Sequence, residues 1–251
     1  MKKIQSIRLA IQSVSFVIFS YVILHFWGVA GAHRVCPFAA IEAPILALRH
    51  RIPLDFFVIG IFLGIFFFLL SFVFPRAFCG WVCPIGFASR ILGSIGRKLR
   101  LNKTVPVKRN DKLAWFAFIV LICVALATFI SGRLICMVGC PFFWGYAIWA
   151  MPIMPIAAGL ITIFAIGSLF IERFFCRWFC PFGALLGISG RFSIFAIRRK
   201  KECCSGCGLC YDCPMGTLPK KSVVDGPMCI SCMRCTGVCK AGCLSLEKRR
   251  K

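Results

Sequence analysis

At 251 residues the chain has the length of one or two soluble domains, but 60% hydrophobic residues and 27 phenylalanines cannot be hidden inside so small a globule. A formal charge of +23 would suit a nucleic-acid partner, yet the Lys and Arg collect loop by loop rather than along one face, and that class is set aside. No nucleotide-binding glycine pattern and no nucleophile–base constellation is present, which argues against a stand-alone catalyst.

The first apolar run, residues 9–32, is too long for the core of a signal peptide and lacks a small-x-small cleavage site, so it is read as a retained helix. Runs at 56–74, 113–130 and 153–171 complete four predicted membrane helices, each near the roughly 20 residues that the hydrocarbon core requires. Lys2, Lys3 and Arg8 precede the first; Arg90, Arg97, Lys98 and Arg100 follow the second; Arg191, Arg198 and Arg199 follow the fourth. The positive-inside rule therefore predicts a multi-pass protein of the bacterial cytoplasmic (inner) membrane with both termini inside. The loops at 33–53 and 131–152 then lie outside. Short apolar stretches at 38–48 and 142–150 are read as re-entrant or interfacial, and 86–99 and 183–197 as interfacial helices, with a basic hinge at 198–201.

The membrane part repeats itself. RAFCGWVCPIG runs from Arg76 to Gly86 and RFFCRWFCPFG from Arg173 to Gly183, while Cys36-Pro37-Phe38 is matched by Cys140-Pro141-Phe142. Two parallel copies, about residues 1–100 and 101–197, are expected. On one continuous helix Cys79 and Cys83, or Cys176 and Cys180, would share a face, so these four thiols are candidates for a metal or cluster centre at the cytoplasmic membrane surface, against the alternative of structural or acylated cysteines. Trp81 and Trp178 are placed at headgroup level, and Glu42, Asp55 and Glu172 are read as polar boundary residues. Outside, Cys36, Cys136 and Cys140 stand open among three readings: metal ligands, a reversible disulfide, or the lining of a quinone pocket. Cys123 is expected to pack, and His25, His33 and His50 offer no facing pair for a haem.

Ten of the 18 cysteines fall between Cys203 and Cys243, in the segment placed in the cytoplasm, where thiolate ligands are a better reading than disulfides. Cys229, Cys232, Cys235 and Cys239 form a C-x-x-C-x-x-C-x-x-x-C run whose three close thiolates can wrap one cubane while the fourth reaches a neighbour; Cys204, Cys207, Cys210 and Cys213 form a second run with a shortened last gap. Residues 198–251, with few apolar side chains of their own, need such inorganic cores to fold.

The two runs resemble a bacterial-type two-cluster ferredoxin, a small α+β fold. That resemblance implies two 4Fe-4S clusters, one held by Cys204, Cys207, Cys210 and Cys239, the other by Cys229, Cys232, Cys235 and Cys213. The shortened gap leaves Cys203 or Cys243 open as a substitute ligand, with a spare reduced thiol the favoured reading of each. Four membrane helices, CGWVCP, CRWFCP and the tandem ferredoxin runs together resemble the NapH-type family, membrane iron–sulfur subunits of quinol dehydrogenase modules, with similar motifs in NosR-like and CcoG-like proteins. The resemblance implies an electron-transfer subunit of an oxidoreductase, passing electrons between the quinone pool or a membrane partner and a redox enzyme. The rival reading is a maturation factor that uses the clusters to reduce a metal such as copper, or thiols, for a partner.

Overall fold

The computed structural model describes residues 2–22, 36–48, 57–102, 107–135, 140, 155–200, 202–204, 207, 210, 213–217, 228–239 and 241–249. His25, His33, His50, Asp55, Cys136 and the stretch predicted at 142–150 lie outside the described residues. The chain is mostly helical: α1 (Lys2–Val22), α2 (Ala39–Leu48), α3 (Val58–Val73), α4 (Ala77–Trp81), α5 (Pro84–Lys98), α6 (Val107–Ser131), α7 (Pro155–Phe170), α8 (Phe174–Trp178), α9 (Pro181–Arg191), β1 (Phe195–Arg199), α10 (Arg234–Val238) and β2 (Leu244–Lys248).

Among the described residues one helix, Lys3–Val22, is long and apolar enough to cross a membrane, and Val58–Val73, Trp115–Ser131 and Ala158–Phe170 are shorter apolar helices. Their polarity is the reverse of a water-soluble bundle. In α3 the small residues Gly60, Gly64 and Ser71 face inward, while Phe62, Phe66 and Leu69 are exposed. Small inward residues let backbones approach: a Cβ on Gly64 would lie 2.3 Å from the Pro37 carbonyl oxygen. Cys123, expected to pack, is on the exposed side of α6.

The sequence repeat has a structural counterpart. In each copy the long apolar helix (α3, α7) is followed by a short turn to a residue with left-handed backbone, Arg76 or Arg173, then a five-residue helix (α4, α8), a Cys-Pro corner, and a further helix (α5, α9). The copies exchange partners: α5 packs on α7 and α9 on α3, while α1 packs on α4 and α5 and α6 on α8 and α9. Corresponding glycines make the crossings. A Cβ on Gly93 would meet Glu172 and one on Gly190 would meet Pro75, so each helix rests on the turn that opens the other copy's corner.

Two expectations are corrected here. The helix predicted at 183–197 stops at Arg191, and Phe195–Arg199 pairs antiparallel with Leu244–Lys248, Ile197 lying opposite Leu246. The basic residues Arg198 and Arg199 are therefore strand rather than hinge, and the C-terminal segment is tied in by a sheet that begins at Phe195. Second, Cys79 and Cys83 do not share one helix. Proline disfavours helical backbone in the residue before it, so Cys83 and Cys180, with ψ of 121° and 111°, cap α5 and α9, whereas Cys79 and Cys176 sit within α4 and α8.

Candidate cofactor site

The C-terminal segment forms a cavity whose wall includes Cys213, Cys229, Cys232 and Cys235, closed by apolar side chains of Ile197, Ile230 and Leu244, with Cys210 at its side. The wrap around it is local: Ser231 and Met233 adopt left-handed backbone at φ 48° and 53°, turning the chain between successive cysteines, and α10 then carries Cys235. Burial pushes the Cys229 thiol up to about 12, with the neighbouring charges of Cys232 and Cys213 adding to the rise. Cys210 is raised by its partial burial, and Cys204 and Cys207 contribute, which places that triplet together. Cys207 is exposed, and Cys239 packs with Cys210 and Cys235 against Ile197 and Leu244. Cys203 and Cys243, read as spare thiols, are joined in a disulfide.

This segment sits directly on the first copy's corner. Gly80 allows the approach, because a Cβ there would stand 2.2 Å from the Ile230 carbonyl oxygen. Trp81 Nε1 donates to the Ser231 carbonyl at 3.0 Å, and Ser231 Oγ donates to the Pro75 carbonyl at 2.9 Å. Arg8, 2% exposed, donates from Nε to the Gly80 carbonyl at 2.9 Å and from Nη1 to the Cys232 carbonyl at 3.0 Å, where Gln5 also donates at 2.9 Å. On the second copy Arg177 donates to the Pro214 carbonyl from Nε at 3.1 Å and Nη2 at 2.7 Å. Glu172 joins Arg97 of α5 to Arg234 of α10, the latter at 3.2 Å. Trp81 and Trp178 thus serve docking and core packing rather than headgroups, and Glu42 and Glu172 are buried partners rather than boundary residues; Glu42 accepts from Thr128 Oγ1 at 2.9 Å.

Beneath the cavity the four membrane-side thiols come together. Burial pushes Cys79 up to about 11, opposed by Arg76 and Arg173 and aided by Cys176; Cys83 and Cys180 are raised by burial and by the other thiols of the group. Arg173 is fully buried and donates to the Cys79 carbonyl at 2.7 Å. Arg76 lies within electrostatic reach of Cys79, Cys180 and Cys176 below and Cys229 above. Among the described residues, Arg76 Nε, Arg173 Nε and Nη2, and Arg177 Nη1 are buried with no protein acceptor. Buried cationic donors beside thiols suit an anionic, thiolate-held group, whose charge they offset and whose sulfurs they can reach. Among the described residues no three His, Cys, Asp or Glu side chains stand at the spacing of a single-ion site.

Cys36 lies just ahead of α2, its thiol pushed up to about 12 by burial, with Cys140 adding to the rise, and Phe38 joins the buried cluster of Phe78 and Cys79.

Residues 54–102 and 152–202 both match the 4Fe-4S binding domain family, so one family description covers the two corners in turn. An uncharacterized protein of Methanocaldococcus jannaschii is 38% identical over 183 residues, 71% of this chain and 67% of that one. The ferredoxin-type protein NapH of Haemophilus influenzae is 29% identical over 221 residues, 79% of this chain and 70% of its own. The chain belongs to the NapH/NosR-type ferredoxin family. Within that family the putatively named electron transport protein YccM of Escherichia coli is 32% identical, and the match spans about half of its length (51%). No solved structure matches. As a NapH/NosR-type protein the chain is an iron–sulfur electron-transport protein with a 4Fe-4S binding domain. The two matched segments contain Cys79, Cys83, Cys176 and Cys180 and end before Cys203, so the resemblance to a two-cluster ferredoxin rests on the C-terminal spacing alone.

Proposed function

We propose that this chain is a four-helix inner-membrane wire that carries electrons between two 4Fe-4S clusters in its cytoplasmic C-terminal domain and a third centre at the paired corners, and from there to quinone or a membrane partner. The carrying observation is the stacking of two four-thiol sets, Cys213, Cys229, Cys232 and Cys235 over Cys79, Cys83, Cys176 and Cys180, with Arg76 between them. The reading of four spans is supported by α1, α3, α6 and α7, which turn Val17, Phe62, Ile122 and Ile163 outward at half exposure or more, a surface that water would not tolerate and lipid would.

Bound clusters would supply one-electron chemistry; the protein residues position and insulate it. Cys204, Cys207, Cys210 and Cys239 would hold the outer cluster, and the exposure of Cys207 leaves that set open to a soluble redox partner. Arg8 and Arg177 fix the carbonyls of Cys232 and Pro214 against the membrane corners, so the inner thiol set keeps a constant relation to the four below. Ile197, Ile230 and Leu244 keep water from the inner set. A second reading, a maturation factor that reduces a metal or thiols for a partner enzyme, is favoured by the nearness of Cys36 and Cys140 on the far side.

Iron and acid-labile sulfide counted per chain, with reduced-state EPR, test the first reading. The intact protein should hold more than the about eight irons of two ferredoxin clusters, and the variant with Cys79, Cys83, Cys176 and Cys180 all changed to Ser should fall to that number. Equal counts in the two proteins would remove the membrane centre. Substituting Cys36 and Cys140 separates the rival: loss of a partner's metallation with quinol-linked reduction intact would support the maturation role.

A further inference from the structure

We propose that Cys203 and Cys243 form a reversible thiol–disulfide site that closes the cluster-binding segment. Their Cα atoms stand 5.6 Å apart, the usual separation for a bridge. The bond spans all eight cysteines of the two ferredoxin-like runs, from Cys204 to Cys239. Each end is anchored: Cys243 leads into β2, its carbonyl accepting from the Lys200 amide at 2.9 Å just past β1, and Cys203 immediately precedes the first triplet. Closing that loop restricts the segment before any cluster is present, which matters for a domain with little apolar core of its own.

The two sulfurs differ in a way that suits exchange. Cys203 is exposed and Cys243 is 2% exposed, so a small thiol can attack only the outer sulfur. Its thiolate bonds to Cys203 and Cys243 leaves, taking a proton; a second small thiol then frees Cys203, so the disulfide becomes two thiols as two small thiols become one small disulfide. The buried member is accommodated in the reduced state too, because its S–H would find the Cys203 carbonyl at 2.7 Å and that of Ala241 at 3.6 Å. The proposal rests on the reading that residues 204–239 hold clusters, but its chemistry is read out separately.

The test is differential alkylation of the full-length protein, purified anaerobically and equilibrated with a series of glutathione to glutathione disulfide ratios, with mass detection of the tagged cysteines and iron counted in parallel. Cys203 and Cys243 should become tagged together, as a two-electron couple, with iron unchanged. The Cys203→Ser/Cys243→Ser variant should retain its iron as isolated, yet after chelation rebind iron and sulfide several-fold more slowly than the oxidised parent. Iron loss in Cys203→Ser alone would make Cys203 a ligand and overturn the proposal, as would free tagging of both cysteines at every ratio. A protein that shows the coupled tagging but holds no iron would instead sink the cluster reading and leave the thiol couple standing.

Discussion

Residues 76–86 and 173–183 are one corner built twice, and the two copies receive the C-terminal segment in opposite ways. The first presents Gly80, an absence, into which the Ile230 carbonyl descends; the second presents Arg177 at the matching position, whose guanidinium reaches out to the Pro214 carbonyl. A symmetric frame thereby holds an asymmetric cap, and a single residue in each motif sets which side is touched by backbone and which by a charged side chain. Making the copies alike should break this most severely. Gly80→Arg places a Cβ 2.2 Å from a backbone oxygen that has nowhere to go. The expected cost is on the order of 4 kcal/mol, enough to release the segment. Hydrogen exchange at the amides of residues 228–233 should rise to the level of an undocked loop, with β1 and β2 still paired.

The converse change is milder. Arg177→Ala removes two charge-assisted hydrogen bonds to one buried carbonyl, a loss of about 2 to 3 kcal/mol. Protection around Met215 and Thr217 should fall while that around Ser231 holds, which distinguishes the two halves of the docking. The copies differ also one residue ahead of the corner, where Pro75 stands in the first and Glu172 in the second. Pro75 offers a carbonyl to Ser231, and Glu172 gathers Arg97 and Arg234. Glu172→Gln leaves those two part-exposed cations without their counter-charge, and a loss of about 1 to 2 kcal/mol is expected after allowance for solvent screening. Higher salt should narrow the gap between this variant and the parent in limited proteolysis at the C-terminal segment.

Much of this was legible in the residues. The doubled R-x-F-C-x-W-x-C-P-x-G pattern identified the repeat, the apolar runs located α3 and α7 to within two residues while α6 begins at Val107, ahead of the run expected from residue 113, and the spacing of Cys229, Cys232 and Cys235 pointed to one shared site. What escaped reading depended on distant partners. Nothing local in Phe195–Arg199 marks a strand, because its partner lies at Leu244–Lys248 beyond both cysteine runs. Arg8 was counted only as an orientation charge, although it is buried against Gly80 and Cys232. Arg76 and Arg173 entered the sequence reading only as the first letter of the repeated motif. One signal was present: an arginine repeated at the same place ahead of both cysteine corners is more than loop charge. The proline after Cys83 likewise carried the information that the two cysteines could not share a helix.

The smallest perturbation tests whether the docking relies on individual hydrogen bonds or on backbone fit. A tryptophan stands in both motifs, as Trp81 and Trp178, and the first copy's indole meets the C-terminal segment through its Nε1 bond to the Ser231 carbonyl. Its counterpart is buried against Phe174 in the core. Trp81→Phe removes one neutral hydrogen bond and some packing, worth about 1 kcal/mol, whereas Trp178→Phe should open a gap in the core cluster that it shares with Met215 and Met228 and cost about 1 to 2 kcal/mol. If docking rests on the Gly80 fit, Trp81→Phe will raise exchange at Ser231 and Cys232 by about tenfold or less and leave the rest of residues 228–233 protected. A release of the whole loop by this one change would shift the weight from the glycine to the tryptophan, and the pairing of a vacant position with a reaching arginine would no longer explain how the two copies divide their work.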